Sequence, residues 1–498
     1  MLLRPDVDDF RAIAFYLGRI FLVVAFAGVL PLLWASLGRE WGPFASFLLM
    51  IGVYAVAGTA MIRVAPREQR LDWGHGMVVV AVTWLVVPAI GAIPFLLSDH
   101  WGGPLDAYFD AMSGLTTTGL SVVQDLDHLA PSLNFWRHLL HFLGGQGIVI
   151  AALVLFAGGG ATTLYYGEAR DDLVLPSVRS TARFIWSAAV VHLAVGLVVL
   201  GTIAWVVLGF DWKRSLFHAL MILFAAFDTG GFSPQSTSIA YYHSAVFELG
   251  VAVFMLAGAL SFGVHFALWR GNRRELFRNL ELRTIIATFV VTMTITMIGL
   301  AAYGVYGELT GLTRQGFFQI LSAHSGTGFS TVPAAELARW GGLAFGGMAL
   351  AMALGGMSSS TAGGVKALRV GLTIRAITDE IRAVLLPHGA VVDRTYFQYR
   401  PRRLTDGLAA TVMSSSLLYV ALYLVGAGAG IAYGYPLEAA LFESISAGAN
   451  VGLSVGITGA GMPVGLQIVY LLQMWLGRLE FVAVFAFAGF LWSIVAGR

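Results

Sequence analysis

The chain has 498 residues, 57% of them apolar and only 12% charged, with a mean hydropathy of +0.77 and a net charge of +2. A soluble chain carries about 25% charged residues, so the composition excludes a water-soluble globular protein and indicates an all-α polytopic membrane protein in a lipid bilayer. No long basic run points to nucleic acid, and the absence of Cys excludes a disulfide framework, a thiolate metal site and a Cys nucleophile.

Apolar runs of about 20 residues, long enough to cross hydrocarbon as helices, recur along the chain. Residues 12–37 and 44–62 read as two spans joined by a tight loop. Asp6, Asp8 and Asp9 precede the first run, which is too long for a signal h-region, so no cleavable leader is expected. Arg63, Arg67 and Arg70 fall on the side of Arg4 and Arg11, which places the N-terminus in the cytoplasm by the positive-inside rule. Residues 1–70 thus form a two-helix prefix.

Four units of one plan follow: a span, a re-entrant segment too short to span, a Gly-centred phrase and a second span. Unit one (71–170) has spans near 75–98 and 134–158 around a segment at 104–118. Unit two (171–278) has spans near 184–208 and 243–269 around a segment from 213. Unit three (279–400) runs 283–306, 313–326 and 340–370, and unit four (401–498) runs 404–432, 436–449 and 462–496. The phrases are Thr117-Thr118-Gly119-Leu120-Ser121, Thr229-Gly230-Gly231-Phe232-Ser233, Gly326-Thr327-Gly328-Phe329-Ser330 and Asn450-Val451-Gly452-Leu453-Ser454. Pro104 and Pro436 suit a first helical turn, and Asp106 and Glu438 suit its positive end. Phe109-Asp110, Phe318-Gln319 and Phe442-Glu443 stand at one offset from the phrase Gly. In unit two Phe217-His218 lies further back, so its segment is expected to be longer or kinked. Of the 30 Lys and Arg, Arg39, Arg137, Lys213, Arg214, Arg314 and Arg339 lie opposite the N-terminal side with the phrases, and Arg478 lies inside a span.

Four phrases in one register suggest pseudo-fourfold symmetry around a central pore. Side chains vary between copies while Gly persists, as expected where the backbone does the binding. A ring of backbone carbonyls replaces the hydration shell of a monovalent cation. The candidate ligands are the carbonyls of Thr117, Thr118, Gly119, Thr229, Gly230, Gly231, Thr327, Gly328, Asn450, Val451 and Gly452. The bland alternative is small-residue helix packing, which does not require four copies in one register. Residues 340–370 exceed one span, and their middle is poor helix. Gly355, Gly356, Ser358, Ser359, Ser360, Thr361, Gly363, Gly364 and Lys366 therefore read as an intramembrane gate, or as a cytoplasmic turn. Lys366 either holds that loop by an ion pair or is the first cytoplasmic charge. A mid-span Arg costs at least about 2.5–3.5 kcal/mol, so Arg478 reads as a barrier in the pore, or as one half of a structural pair. His138, His141, His218, His265 and His324 read as packed or interfacial, with no acidic partners at metal-ligand spacing.

The architecture resembles the Trk/Ktr/HKT superfamily of K+ transport proteins, and within it the bacterial Trk potassium-uptake membrane subunits. The matching stretches are Gly144-Gly145-Gln146-Gly147-Ile148, Ser261-Phe262-Gly263-Val264-His265-Phe266, Ser360-Thr361-Ala362-Gly363-Gly364-Val365-Lys366 and Gly477-Arg478-Leu479-Glu480. The resemblance implies a K+-selective pore with Gly119, Gly231, Gly328 and Gly452 as filter glycines; members with Ser at the first tend toward Na+. It implies that 355–366 is the gate and Arg478 the pore arginine. It also implies a homodimer, with a cytosolic nucleotide-binding regulatory subunit on the loops around 270–283 and 366–403. K+ is the transported ligand, and no covalent cofactor or catalytic residue is expected. The leading expectation is K+ uptake across the cytoplasmic (inner) membrane. The alternatives are a Na+-permeable or Na+/H+-coupled symporter on this scaffold and, from another class, an intramembrane enzyme.

Overall fold

A computed structural model describes residues 5–64, 72–147, 177–387 and 394–497. Among them, six helices are long and apolar enough to span a bilayer, and two bent helix pairs pass the same test together. The described residues are all-α apart from one short hairpin, β1 (Thr395–Gln398) and β2 (Arg400–Arg403).

The prefix is α1 (Val7–Gly38) and α2 (Trp41–Val64). Asp6 caps α1 in a reciprocal box with Asp9, satisfying amide groups that the first turn leaves open. The helices touch at Gly18 and Gly58, where a Cβ on either would overlap the other's carbonyl oxygen. With no hydrophobic driving force between helices in lipid, such close backbone approach supplies the contact. The pair packs on α3 (Trp73–Gly91), the first span of unit one. Tyr54 donates to the Val87 carbonyl across that seam, at 2.5 Å.

Each unit contains a short helix that stops at its phrase. These are α4 (Pro104–Leu115) and, after α5 (Pro131–Gln146) and α6 (Val178–Val206), α7 (Trp212–Phe227). Unit two continues through α8 (Ala245–Ala259) and α9 (Phe262–Trp269). Unit three is α10 (Leu280–Ala302), α11 (Leu309–Ser325), α12 (Gly342–Ala353) and α13 (Ala367–Leu385). Unit four is α14 (Asp406–Ala432), α15 (Leu437–Gly448), α16 (Val464–Leu479) and α17 (Val482–Ala496). The phrase-bearing helices and phrases are largely buried, whereas Phe26, Val198 and Val495 are exposed on the outer spans. That inversion fits a hydrocarbon solvent.

Two expectations need correction. The return spans at 243–269 and 462–496 are not single helices: α8 and α9 meet at 101°, and α16 and α17 at 111°. Ser261 starts α9 afresh as its cap, and Glu480 and Phe481 adopt positive φ between α16 and α17. The long re-entrant helix is not peculiar to unit two, because α11 has 17 residues and α7 has 16. In unit one, α5 ends at Gln146; the rest of the expected 134–158 span, from 148 onward, lies outside the described residues. The return elements of units two, three and four thus break beside the centre, which the sequence indicated only for unit three.

Candidate ion-conduction site

The four phrases close into a ring. A Cβ added to Gly119 would overlap the carbonyl oxygen of Gly230, one on Gly231 that of Thr327, one on Gly328 that of Val451, and one on Gly452 that of Thr118. All four separations would be well under 3.0 Å, which real Cβ atoms do not show. The contacts run from unit one to two, three, four and back to one. Gly119, Gly231, Gly328 and Gly452 have φ of +86°, +75°, +84° and +94°, and two residues earlier Thr117, Thr229, Gly326 and Asn450 also have positive φ. Non-Gly residues rarely hold this conformation, and such outliers cluster at functional sites.

Side chains form a belt behind the ring. Asn450 donates to Thr118 Oγ1 at 2.8 Å and to the Met474 carbonyl at 3.0 Å. Thr327 pairs with Ser325 at 2.8 Å. Among the described residues, no donor reaches the carbonyl oxygens of Thr118, Gly230, Thr327 or Val451, although all four residues are buried. Buried carbonyls are nearly always paired, so four unpaired ones in a ring form a ready coordination shell. On one side the ring opens into a vestibule of about 210 Å³, lined by all four phrase glycines and by Arg137.

Each phrase is braced from behind. Asp110 accepts from Ser121 Oγ at 2.7 Å and from the Val122 amide at 2.8 Å. Glu443 accepts from Ser454 Oγ, the Val455 and Ile457 amides and Thr458 Oγ1, at 2.5 to 3.1 Å. Gln319 does the same work uncharged, donating to Ser330 Oγ and accepting from the Thr331 amide. Unit two has Ile222 at this offset and takes its brace from unit one instead. His138 Nε2 stands 3.1 Å from the Phe232 carbonyl and its Nδ1 2.7 Å from that of Asn134, while the Phe232 amide donates to His141 Nε2 (3.2 Å). His141 Nδ1 donates in turn to the Gly114 carbonyl at 2.7 Å. These histidines are therefore more than packing residues, and His324, read as isolated, pairs with Thr288 Oγ1 at 2.9 Å. Glu443→Gln is expected to lower stability by about 1–3 kcal/mol, and Glu443→Ala by roughly twice that, because Ala strands four donors. A thermal melt of the purified variants measures the order.

The 355–366 loop runs directly under the ring and is buried throughout, so it is no surface turn. Gly355 N–H donates to the Val365 carbonyl (2.9 Å), tying the two ends of the loop together. Thr361 Oγ1 is shared among the Phe227 carbonyl, the Gly258 carbonyl and Thr229 Oγ1, at 2.9 to 3.2 Å. Ala362 lies against Gly326, and a Cβ on Gly363 would overlap the Ala449 carbonyl. Glu281 accepts from the Ser358 and Leu368 amides. Lys366 donates to the Ala362 carbonyl and stands 3.8 Å from Glu480, which also pairs with Arg369. Lys366 thus holds the loop and is not merely its first cytoplasmic charge.

Arg478 joins this loop to the ring. It lies at the end of α16, beside the 111° break, and not in the middle of a straight span. Its guanidinium donates to Thr117 Oγ1 (2.9 Å), the Thr361 carbonyl (2.7 Å) and the Gly144 carbonyl (2.8 Å). These three bonds set a positive charge between ring and loop. Glu480 faces Lys366 and Arg369. Three glycines on the return helices were not singled out as contacts by sequence: Cβ atoms on Gly144, Gly258 and Gly477 would overlap the Leu115, Phe227 and Gly448 carbonyls. They let each return helix press on the end of its phrase-bearing helix. Gly144 and Gly477 share one offset from their phrase glycines, which was the available signal for those two; Gly258 lies two residues further on.

The profile of the TrkH family, described as cation transport protein, matches residues 45–492. A cation transporter of Methanocaldococcus jannaschii, described as uncharacterized, is 29% identical over 97% of this chain and 96% of its own. The Trk system potassium uptake protein TrkH of Halomonas elongata is also 29% identical, over 97% and 99%. The crystal structure of the potassium transporter TrkH from Vibrio parahaemolyticus superposes with a TM-score of 0.79 at 23% identity, covering 96% of this chain and 98% of that one. The chain belongs to the TrkH family of cation transport proteins.

Proposed function

We propose that the protein is a K+-selective uptake pathway across the cytoplasmic (inner) membrane, with the ring of carbonyls as its filter. The observation that carries this reading is the closed four-membered ring of buried, donor-free carbonyl oxygens. Thr117, Thr118, Gly119, Thr229, Gly230, Gly231, Thr327, Gly328, Asn450, Val451 and Gly452 supply the backbone that replaces water around a dehydrated K+. Relatives named as potassium uptake proteins support K+ as the cargo. The chain is a transport protein and not an enzyme, so the intramembrane-enzyme alternative falls.

The gate is the loop carrying Gly355, Gly356, Ser358, Ser359, Ser360, Thr361, Gly363, Gly364 and Lys366, held shut with Arg478. The loop blocks the path below the filter, and Arg478 adds a positive charge where a cation would pass. The prefix and four units keep the boundaries 1–70, 71–170, 171–278, 279–400 and 401–498, with the N-terminus cytoplasmic. The family resemblance extends the proposal to a homodimer and a nucleotide-binding regulatory subunit on the loops around 270–283 and 366–403, of which 388–393 lie outside the described residues. The test is Rb+ uptake into proteoliposomes with Na+ competition and no added energy source. Uptake down the gradient, poorly competed by Na+, is expected. Uptake equally good with Na+ would favour the Na+-permeable alternative. Uptake that requires a Na+ or H+ gradient would favour symport.

A further inference from the structure

On the side of the 355–366 loop away from the ring lies a cavity of about 410 Å³. This is within the size range of small-ligand sites, about 300–1,000 Å³. Its walls are α9, the segment after it, and the β1–β2 hairpin; Ser358 and Ser359 of the loop close it. Three arginines line it, Arg270, Arg400 and Arg402, against one acid, Glu275. Glu275 is buried and accepts from Asn279 at 3.3 Å, so the arginine side chains outnumber the acid in the lining. Gln398 lines it too, is 2% exposed, and its Oε1 has no partner among the described residues. A buried acceptor left short of a donor is costly, and a hydroxyl or a water carried in with a ligand relieves that cost.

We propose that this cavity binds a phosphate-bearing ligand and thereby sets the position of the loop. Arginine forks match phosphate oxygens in bidentate geometry, and the hydroxyls of Ser358 and Ser359 add donors at the loop end of the cavity. The same chemistry has two sources: a soluble di- or triphosphate, and the headgroup of an anionic lipid, which basic pockets between spans also take. Either would touch Ser358, whose amide is held by Glu281, and Ser359, which has a positive φ of 56° and accepts from the Phe262 amide at 3.3 Å. A ligand pulling on these two residues acts on the same loop that contacts the ring through Thr361 and Ala362. The regulatory part of the proposal rests on the loop being the gate; the binding part does not.

The experiment is a thermal-shift titration of the full chain in neutral detergent, with pyrophosphate as one probe and dioctanoyl phosphatidylglycerol as the other. Wild type is expected to be stabilised by at least one probe, and the Arg400→Gln/Arg402→Gln double variant to bind it at least about tenfold more weakly, from two lost charge-assisted contacts. The single variant Arg400→Gln, at an exposed position, serves should the double variant misfold, and a filter variant such as Gly328→Ala is expected to bind normally. Stabilisation by pyrophosphate identifies a soluble ligand, and by the lipid alone a headgroup. No stabilisation by either, or equal stabilisation of wild type and the arginine variants, would overturn the site. Rb+ flux measured with the effective probe tests the coupling: a change of at least about twofold in wild type and none in the arginine variants is expected. Binding without any change in flux would overturn the regulatory role while leaving the site.

Discussion

Gly328→Ala is expected to cut selective K+ uptake by at least about tenfold, while Gly326→Ala leaves it within a few-fold. Both glycines belong to one phrase and both have positive φ, +84° and +75°. An Ala at either pays a similar backbone strain, about 1–2 kcal/mol, so that cost cancels in the comparison. The surroundings differ. A Cβ at Gly328 would overlap the Val451 carbonyl oxygen, whereas at Gly326 the nearest atom is the Ala362 Cβ, 3.3 Å away. Only the first displaces a ring oxygen. Each 1.4 kcal/mol lost in ion coordination is tenfold in binding, and a displaced oxygen also loses its discrimination between K+ and Na+. Rb+ uptake with Na+ competition, on variants shown to fold by size-exclusion profile, measures both. Equal behaviour of the two variants would remove Val451 from the filter.

Arg478→Ala is expected to raise passive Rb+ flux at least tenfold above wild type. A cation passing within about 4 Å of a fixed positive charge meets about 4 kcal/mol of repulsion at an effective dielectric of about 20. The substitution removes that barrier. It also removes the bonds to Thr117, Thr361 and Gly144 that tie the loop to the ring. Arg478→Lys separates the two effects, since Lys keeps the charge but not the fork. Flux near wild type in the Lys variant would make charge the main barrier; flux near the Ala variant would make anchoring of the loop the main barrier. Wild-type flux in a well-folded Arg478→Ala protein would remove Arg478 from the gate.

Much of this was legible in the sequence because the backbone makes strict demands. Positive φ at a close approach leaves Gly almost alone at Gly119, Gly231, Gly328 and Gly452, so the ring left a repeated trace. Asp110, Gln319 and Glu443 kept a fixed offset because each braces the turn that follows it. The breaks at Ser261 and Glu480 left less. Neither contains Pro, and apolar residues resume after both; what bends them is a serine cap, a pair of positive φ values and packing of Gly258 and Gly477 on neighbouring carbonyls. The roles of His138 and His141 were hidden for a different reason. Their partner is the backbone of another unit, which carries no side-chain signature, and the only hint was unit two's missing carboxylate. Glu281 and Glu480 were similarly opaque, since they hold loop amides and the basic residues at the loop's end from other helices.

The central claim is that dehydrated K+ sits among the carbonyls of Thr118, Gly230, Thr327 and Val451. The most direct measurement is the anomalous diffraction of crystals grown in Rb+. A Rb+ peak is expected on the axis of this ring, weakened or lost in Gly328→Ala and retained in Gly326→Ala. A ring without Rb+ in crystals that hold the ion elsewhere along the chain would contradict it.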